Sequence, residues 1–359
     1  MRGSDKRKYT TMQSLSHTYN RYKTLRTNKI SALPIVILMP HSACNCRCVM
    51  CDIWKDNKNL KQLSEDDLKG LLASLKQLGT KQVLMSGGEA LLNSNFFRLC
   101  EILKKEGIAI TLLSTGLLLK KNADQILSLV HDVIISLDGD ETVHDRIRNI
   151  PNAYSQLREG VQFIKSLNPN YRITGRTVIH RLNFRVWPQI VKCAKDMGLD
   201  QISFLPADVS SQAFNRQTPW DEPRQDEVAI GSDELPELRK TVDVLLNNFS
   251  REFDTHFIAE SPEKIEKIYS YYGALHGLNA YPFKKCNAPW VSSVIEADGT
   301  VRPCFFHRSM GNIREKPLMD ILNSVEFIEF RTHLDTEKDS TCLKCVCYLN
   351  LPPRANPLT

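Results

Sequence analysis

The sequence predicts an α/β fold. A parallel sheet of six strands carries helices on its outside, as in a partial (β/α)6 TIM-like barrel, and a small cysteine-rich C-terminal domain follows. Three observations predict it. Apolar strand-like runs and amphipathic helix-like segments alternate six times between residues 34 and 206. The runs are continuously apolar rather than alternating, which is how strands covered by crossover helices read. Nine of the eleven cysteines fall in two groups, 44–51 and 286–347, directly after the first run and beyond the last.

The elements follow in order. Residues 1–33 form a polar lead-in with one short helix, basic at its start through Arg2, Lys6, Arg7 and Lys8. PIVILM (34–39) is a short buried strand, and the first cysteines sit on the loop after it. In LSEDDLKGLLASLKQLG, Ser64 and Asp67 make a capping box. Leu68, Leu71, Leu72 and Leu75 mark one helix face, and Gly79 closes the helix. QVLMSGGEALL is a strand that runs into two glycines. IAITLLSTG, DVIISLDG, YRITGRTVIH and QISFLPADV are the remaining strands, separated by helices such as YSQLREGVQFIKSLN and WPQIVKCAKDMGLD. Each strand ends in polar residues or glycine, at the edge where parallel α/β folds carry their chemistry.

Residues 207–236 break the rhythm with a polar stretch holding one Trp and three prolines. It leaves the sixth strand, so it reads as a surface excursion or as a lid at the mouth. The first domain is therefore 34–236. A helical linker spans 237–280, the second domain 281–350, and a tail 351–359. In the second domain, VIEADGTVRPC reads as a hairpin with Asp298-Gly299 as a two-residue turn.

Composition narrows the function classes. Apolar residues make up 42% and charged residues 25%, the profile of a folded soluble protein. No apolar run is long enough to span a bilayer, and no signal peptide is evident, so a cytoplasmic location is expected. The net charge of +6 is a mild excess without a basic stripe, so nucleic-acid binding finds no support and an anionic small substrate fits equally well. An odd number of cysteines in two clusters argues for metal rather than disulfides, with Cys100 and Cys193 left as buried structural thiols.

Cys44, Cys48 and Cys51 form C-x3-C-x2-C, with Cys46 between. Three thiolates on a tight loop hold three irons of a cubane and leave the fourth open. Counting alone leaves zinc open too, since Cys46 supplies a fourth ligand. Cys286, Cys304, Cys342 and Cys345 make a second set of four, which spacing alone divides between a zinc knuckle and an iron–sulfur cluster. Cys347 is left over.

The first motif, together with Gly87-Gly88-Glu89 after the second strand, Ser114-Thr115-Gly116 after the third and Ser136-x-Asp138-Gly139 after the fourth, resembles the radical S-adenosylmethionine superfamily. Ser-Thr-Gly departs mildly from that family's Thr-Asn-Gly, and Met50 stands where an aromatic is common. The C-terminal pattern of Cys286, Gly299-x4-Cys304, Gly311-Asn312 and Cys342-x2-Cys345 is similar to the SPASM and shorter twitch domains. The resemblance implies two [4Fe–4S] clusters, held by Cys44, Cys48 and Cys51 and by Cys286, Cys304, Cys342 and Cys345. It also implies S-adenosylmethionine near Gly87, Gly88, Glu89, Ser114, Ser136 and Asp138, and a flavodoxin- or ferredoxin-like electron donor. Hard radical chemistry then belongs to the cofactor.

Arg176, lying in an apolar strand beside Gly175, is a candidate for holding a carboxylate or phosphate. Asp208 and Cys347 are further candidates at the mouth, while His144, Arg146, Arg148, His180, Asn183, Arg216 and His307 have structural readings. The expected activity is oxidation or rearrangement of a polar small metabolite by an oxidoreductase-type radical enzyme. The residues before the first strand are too few for a leader-binding domain, which favours a metabolite over the alternative, a peptide or protein side chain. A non-catalytic zinc or iron–sulfur adaptor is the remaining alternative.

Overall fold

The structure, a computed structural model, describes residues 11–216 and 218–357; the basic cluster Arg2 to Lys8 lies outside them. Helix α1 (Thr11–Thr27) precedes β1 (Ile35–Leu38). Then α2 (Glu65–Gln77), β2 (Gln82–Met85), α3 (Phe96–Lys105), β3 (Ala109–Ser114), α4 (Ala123–Leu129) and β4 (Asp132–Ser136) alternate as expected. A helix that the sequence pattern did not announce, α5 (Glu141–Arg148), follows β4, and α6 (Ala153–Leu167), β5 (Ile173–Ile179), α7 (Trp187–Met197) and β6 (Gln201–Pro206) complete the six repeats. The hidden helix is short and strongly polar. Its Asp140 cap, accepting from the Val143 amide, defines it better than its apolar residues do.

All neighbouring pairs from β1 to β6 are parallel, in the order β6-β5-β4-β3-β2-β1. Val36, Leu38, Val83, Met85, Ile110, Leu112, Val133, Ile135, Ile202 and Phe204 point to the helix-covered face and form the main core. The other face is less fully covered: β2 and β4 alternate between half-buried and buried positions. The runs of β2 and β4 therefore face a less covered concave side, whereas β1 is buried at every position.

Ser64 and Asp67 form the expected capping box on α2, and Gly79 closes it at φ 63°. Segment 207–236 contains α8 (Glu222–Val228). Helices α9 (Leu235–Asn248), α10 (Ser250–Asp254) and α11 (Pro262–Leu275) follow, with α11 packed on β6 and α9 on α11 and α7.

The C-terminal region departs from the expected pattern in one respect. After α12 (Ala288–Val291), strand β7 (Ser292–Ile295) pairs in parallel with β1, and β8 (Val301–Arg302) pairs antiparallel with β7. The sheet thus has eight strands and continues from the barrel into the C-terminal region. Ile35, Ile37, Val291, Val294 and Leu351 share a small core that seals this seam. The β7–β8 turn also differs from the two-residue expectation. Glu296 N donates to Thr300 O across residues 297–299, with Gly299 at φ 87°, so the reversal takes three residues, the last of them in the left-handed region. Short helices α13 (Leu318–Leu322), α14 (Val325–His333) and α15 (Ser340–Lys344) follow. The tail is pinned: Arg21 of α1 donates to the carbonyls of Leu351, Pro352 and Ala355.

Candidate active site

The first cysteine loop is held against the second strand end by two glycines. A Cβ on Gly88 would stand 2.1 Å from Ala43 O, and Gly87, at φ 106°, packs on Met39 and His41. The Glu89 amide donates to Ala43 O at 2.9 Å. Only a residue without a side chain permits this approach, and it sets Cys44 beside the end of β2.

Within the loop, Cys46 is 1% exposed and hydrogen-bonds to Cys48. That bond pushes the Cys46 thiol up and the Cys48 thiol down to about 7, helped by Arg148. Arg148 Nη1 donates to Cys48 Sγ at 3.4 Å. Burial drives Cys44 and Cys51 up to about 12, so neither is a thiolate at neutral pH unless a metal supplies positive charge. A tetrahedral zinc, with zinc–sulfur bonds of about 2.3 Å, sets sulfurs about 3.8 Å apart. Among the described residues, no three cysteine sulfurs lie within 4.8 Å of one another. Cys44, Cys48 and Cys51, all on the loop after β1, are the residues that would hold an iron–sulfur cluster.

Glu89 is fully buried. Its carboxylate accepts from four donors: the Leu91 amide, Ser114 Oγ, the Thr115 amide and Thr115 Oγ1. Burial still holds its pKa above the usual range. Thr115 Oγ1 also lies 3.0 Å from the side-chain amide of Asn45, which ties the third strand end to the cysteine loop. Sequence reasoning missed Thr115 and Asn45; the threonine in place of the family asparagine was the available signal. Ser114, expected at the cofactor, spends its hydroxyl on Glu89.

Asp138, also expected at the cofactor, is fully buried and ion-paired with Arg148. His144 lies beside it, held neutral by burial, and its Nδ1 accepts from the Asp138 amide. A carboxylate in that depth takes the nearest cation, so Asp138 reaches the cluster loop through Arg148. Ser136, in contrast, stays on the concave face, in register with Arg176 on β5 and Ser203 on β6.

The 207–236 segment folds down onto the cluster loop. Trp220 Nε1 donates to Asp52 Oδ2 at 2.7 Å, Arg216 Nη2 to Met50 O at 3.4 Å, and Arg224 to Val49 O. Arg216 stacks 3.8 Å over Trp220. Asp208, a candidate for catalysis, is consumed here: both it and Arg216 are almost fully buried, 2.7 Å apart. Consecutive left-handed residues Phe214 and Asn215 carry the segment across to Phe306, ring to ring. The segment is thus a lid latched to both cysteine regions.

The second cysteine set gathers where β8, α15 and the chain before α12 meet. Burial raises three of these groups, and neighbouring thiols add to it: Cys286 and Cys347 act on Cys304, Cys304 and Cys345 on Cys342, and Cys347 and Cys304 on Cys345. Burial holds Cys304 at about 11. His307 Nε2 lies 3.4 Å from Cys342 Sγ, and with Asp339 it completes a compact group of three potential metal donors. Asp339 left no signal in the sequence because it caps α15, an ordinary helix task. Cys347 is exposed at the rim of a cleft of about 150 Å3 that also includes Arg176, Glu260, Lys264 and Tyr348.

A parallel barrel with one cysteine set on the loop after β1 and a second beside β8 defines an enzyme that works through thiolate-held metal. The profile of the radical SAM superfamily matches residues 38–194, and that of an iron–sulfur cluster-binding domain, SPASM, matches residues 286–346. The chain belongs to the radical SAM superfamily and carries a C-terminal SPASM/twitch-type iron–sulfur domain. It is 24% identical over 307 residues to the Fe-coproporphyrin III synthase of Methanosarcina barkeri, covering 80% of this chain and 73% of that one. It is 26% identical over 186 residues to the PqqA peptide cyclase of Bradyrhizobium diazoefficiens. That match covers 50% of this chain and about half of the cyclase, 48%. The fold is shared with Streptococcus suis SuiB, seen bound to its precursor peptide SuiA, with a TM-score of 0.64, 16% identity and coverage of 94% and 75% of the two chains. The protein is therefore a radical enzyme that binds S-adenosylmethionine and generates a 5'-deoxyadenosyl radical, with an auxiliary iron–sulfur or metal-ligand site. Among the described residues, no helix is long and apolar enough to cross a membrane.

Proposed function

We propose that this chain modifies a side chain of a peptide or protein. The cleft beside Cys347 carries the reading. Its volume of about 150 Å3 falls below the roughly 300–1,000 Å3 of pockets that enclose a whole drug-sized ligand. It suits one side chain and not a macrocycle. The likeness to the PqqA peptide cyclase supports the same substrate class. Bound S-adenosylmethionine would supply the radical. Around it, Gly87, Gly88 and Ser136 shape the strand ends, and the lid through Trp220 and Arg216 excludes water. Cys286, Cys304, Cys342 and Cys345 would hold a second [4Fe–4S] cluster, and a flavodoxin- or ferredoxin-like protein would deliver electrons. A small polar acid is the second reading, favoured by the basic lining of the cleft and by the likeness to a porphyrin-forming enzyme.

Deuterium transfer separates the two. Reconstituted enzyme, S-adenosylmethionine and reductant are mixed with a perdeuterated cell extract split into polypeptide and small-molecule fractions. Hydrogen abstraction breaks a C–D bond in the substrate and places that deuterium on 5'-deoxyadenosine. Label arising from the polypeptide fraction is expected by mass spectrometry. Label from the small-molecule fraction alone would replace the peptide reading with the metabolite one.

A further inference from the structure

The cleft between β6, α11 and the Cys345–Tyr348 loop holds more positive charge than its own acid answers. We infer that it is a carboxylate-binding subsite that takes an acidic group of the substrate. The source of that carboxylate, an acidic residue of a peptide, rests on the reading above; the subsite itself does not.

Arg176 forms the inner end. Register places it on the concave face between Ser136 and Ser203. Its Nε is buried and has no hydrogen-bond partner among the described residues. The neighbouring acid is half-buried Glu260, but Ser203 Oγ at 2.9 Å and the Phe204 amide at 2.8 Å already occupy its oxygens. Burial also pushes its carboxyl above the usual range, which weakens it as a counter-ion. Arg176 is half-buried, with its Nε shielded from water; a shielded donor is costly to leave unpaired, and the planar fork of an arginine matches a carboxylate through two parallel bonds.

Three lysines line the opposite wall. Lys267 is tied to Phe283 O at 2.9 Å, and Lys284 to the carbonyls of Leu343 and Cys345 at 2.7 and 2.6 Å. Those two contribute field rather than contacts. Lys264 is exposed at the mouth, 6.0 Å from the centre of the Tyr348 ring. Four cations thus face one carboxylate. Positive potential draws an anion in at Lys264, and Arg176 receives it at the end.

The test is calorimetric titration of the reconstituted enzyme with four probes: N-acetyl-glutamate amide, N-acetyl-glutamine amide, glutarate and inorganic phosphate. The glutamate probe is expected to bind about tenfold more tightly than the glutamine probe. R176Q should erase that preference and R176K should restore part of it. K264Q, at an exposed position, should weaken the glutamate probe about threefold. If R176Q misfolds, visible as lost iron, K264Q decides. Equal binding of the glutamate and glutamine probes to the native enzyme would overturn the subsite, and so would phosphate outcompeting both carboxylates. Glutarate binding as tightly as the glutamate probe keeps the subsite but removes its support for a peptide, while a preference for the amide-flanked probe supports both.

Discussion

At the scale of single residues, the cysteines separate by their neighbours. Cys46 is buried and gives its hydrogen bond to Cys48, so we propose that it tunes a ligand rather than serving as one. Cys46→Ala should keep the brown cluster and reductive cleavage of S-adenosylmethionine; Cys48→Ala should lose both, read by iron content and 5'-deoxyadenosine yield. His180 makes a pH prediction. Burial lowers its pKa to about 3, below the usual 6.5 of an unfolded chain. The unfolded state therefore binds the proton first, and stability present above pH 6.5 is lost as pH falls towards 3. At pH 5 the loss is about 2 kcal/mol, measured as denaturant unfolding of cluster-free protein. A pH-independent midpoint between 7 and 5 would show that His180 is solvated. The cluster cysteines were legible because clustered thiols outside a disulfide framework have few uses. The partners of Asp138 and Asp208 were not legible, because burial decides which cation a carboxylate takes, and burial is a property of the packed molecule.

At the scale of elements, the lid is the informative one. Its composition predicts an excursion at the barrel mouth, and its position after the sixth strand is where it was expected. What composition does not contain is the latch: Trp220 on Asp52, Arg216 on Met50 O and Arg224 on Val49 O. Arg216→Met strips the buried Asp208 of its partner. It should cost about 3–5 kcal/mol and expose residues 208–224 to limited proteolysis, with cleavage mapped by mass spectrometry. Resistance equal to the native chain would mean that the aromatic contacts alone hold the lid. Helix α5 teaches the complementary lesson. It carries few apolar residues and was passed over, yet it delivers both His144 and Arg148 to the core. Two buried polar groups on one short helix carry no hydrophobic period for a sequence pattern to detect.

At the scale of the whole molecule, β7 joins the two cysteine regions into one sheet through β1. Cluster content tests this architecture. Two cubanes require about eight irons per chain. Replacing Cys44, Cys48 and Cys51 together with alanine should leave about four, with a spectrum that S-adenosylmethionine does not alter. One zinc and no iron in that variant would return the C-terminal set to a zinc site. Because β1 lies between β2 and β7, with Ile35 and Ile37 covered from the C-terminal side, the cluster-free variant should still unfold in one cooperative step.

The sequence by itself determined the six strand–helix repeats, the cysteine loop after the first strand and the glycine pair that lets it seat. These rest on local information: apolar periodicity, thiol spacing, and a backbone approach that excludes a Cβ. Only the tertiary structure decided that the C-terminal hairpin extends the barrel sheet, that Asp138 and Asp208 are locked in ion pairs, and that Arg176 stands without one among the described residues, beside three lysines from another wall. Each of these depends on contacts between residues from separate elements, and on which of them lose their water when the elements pack.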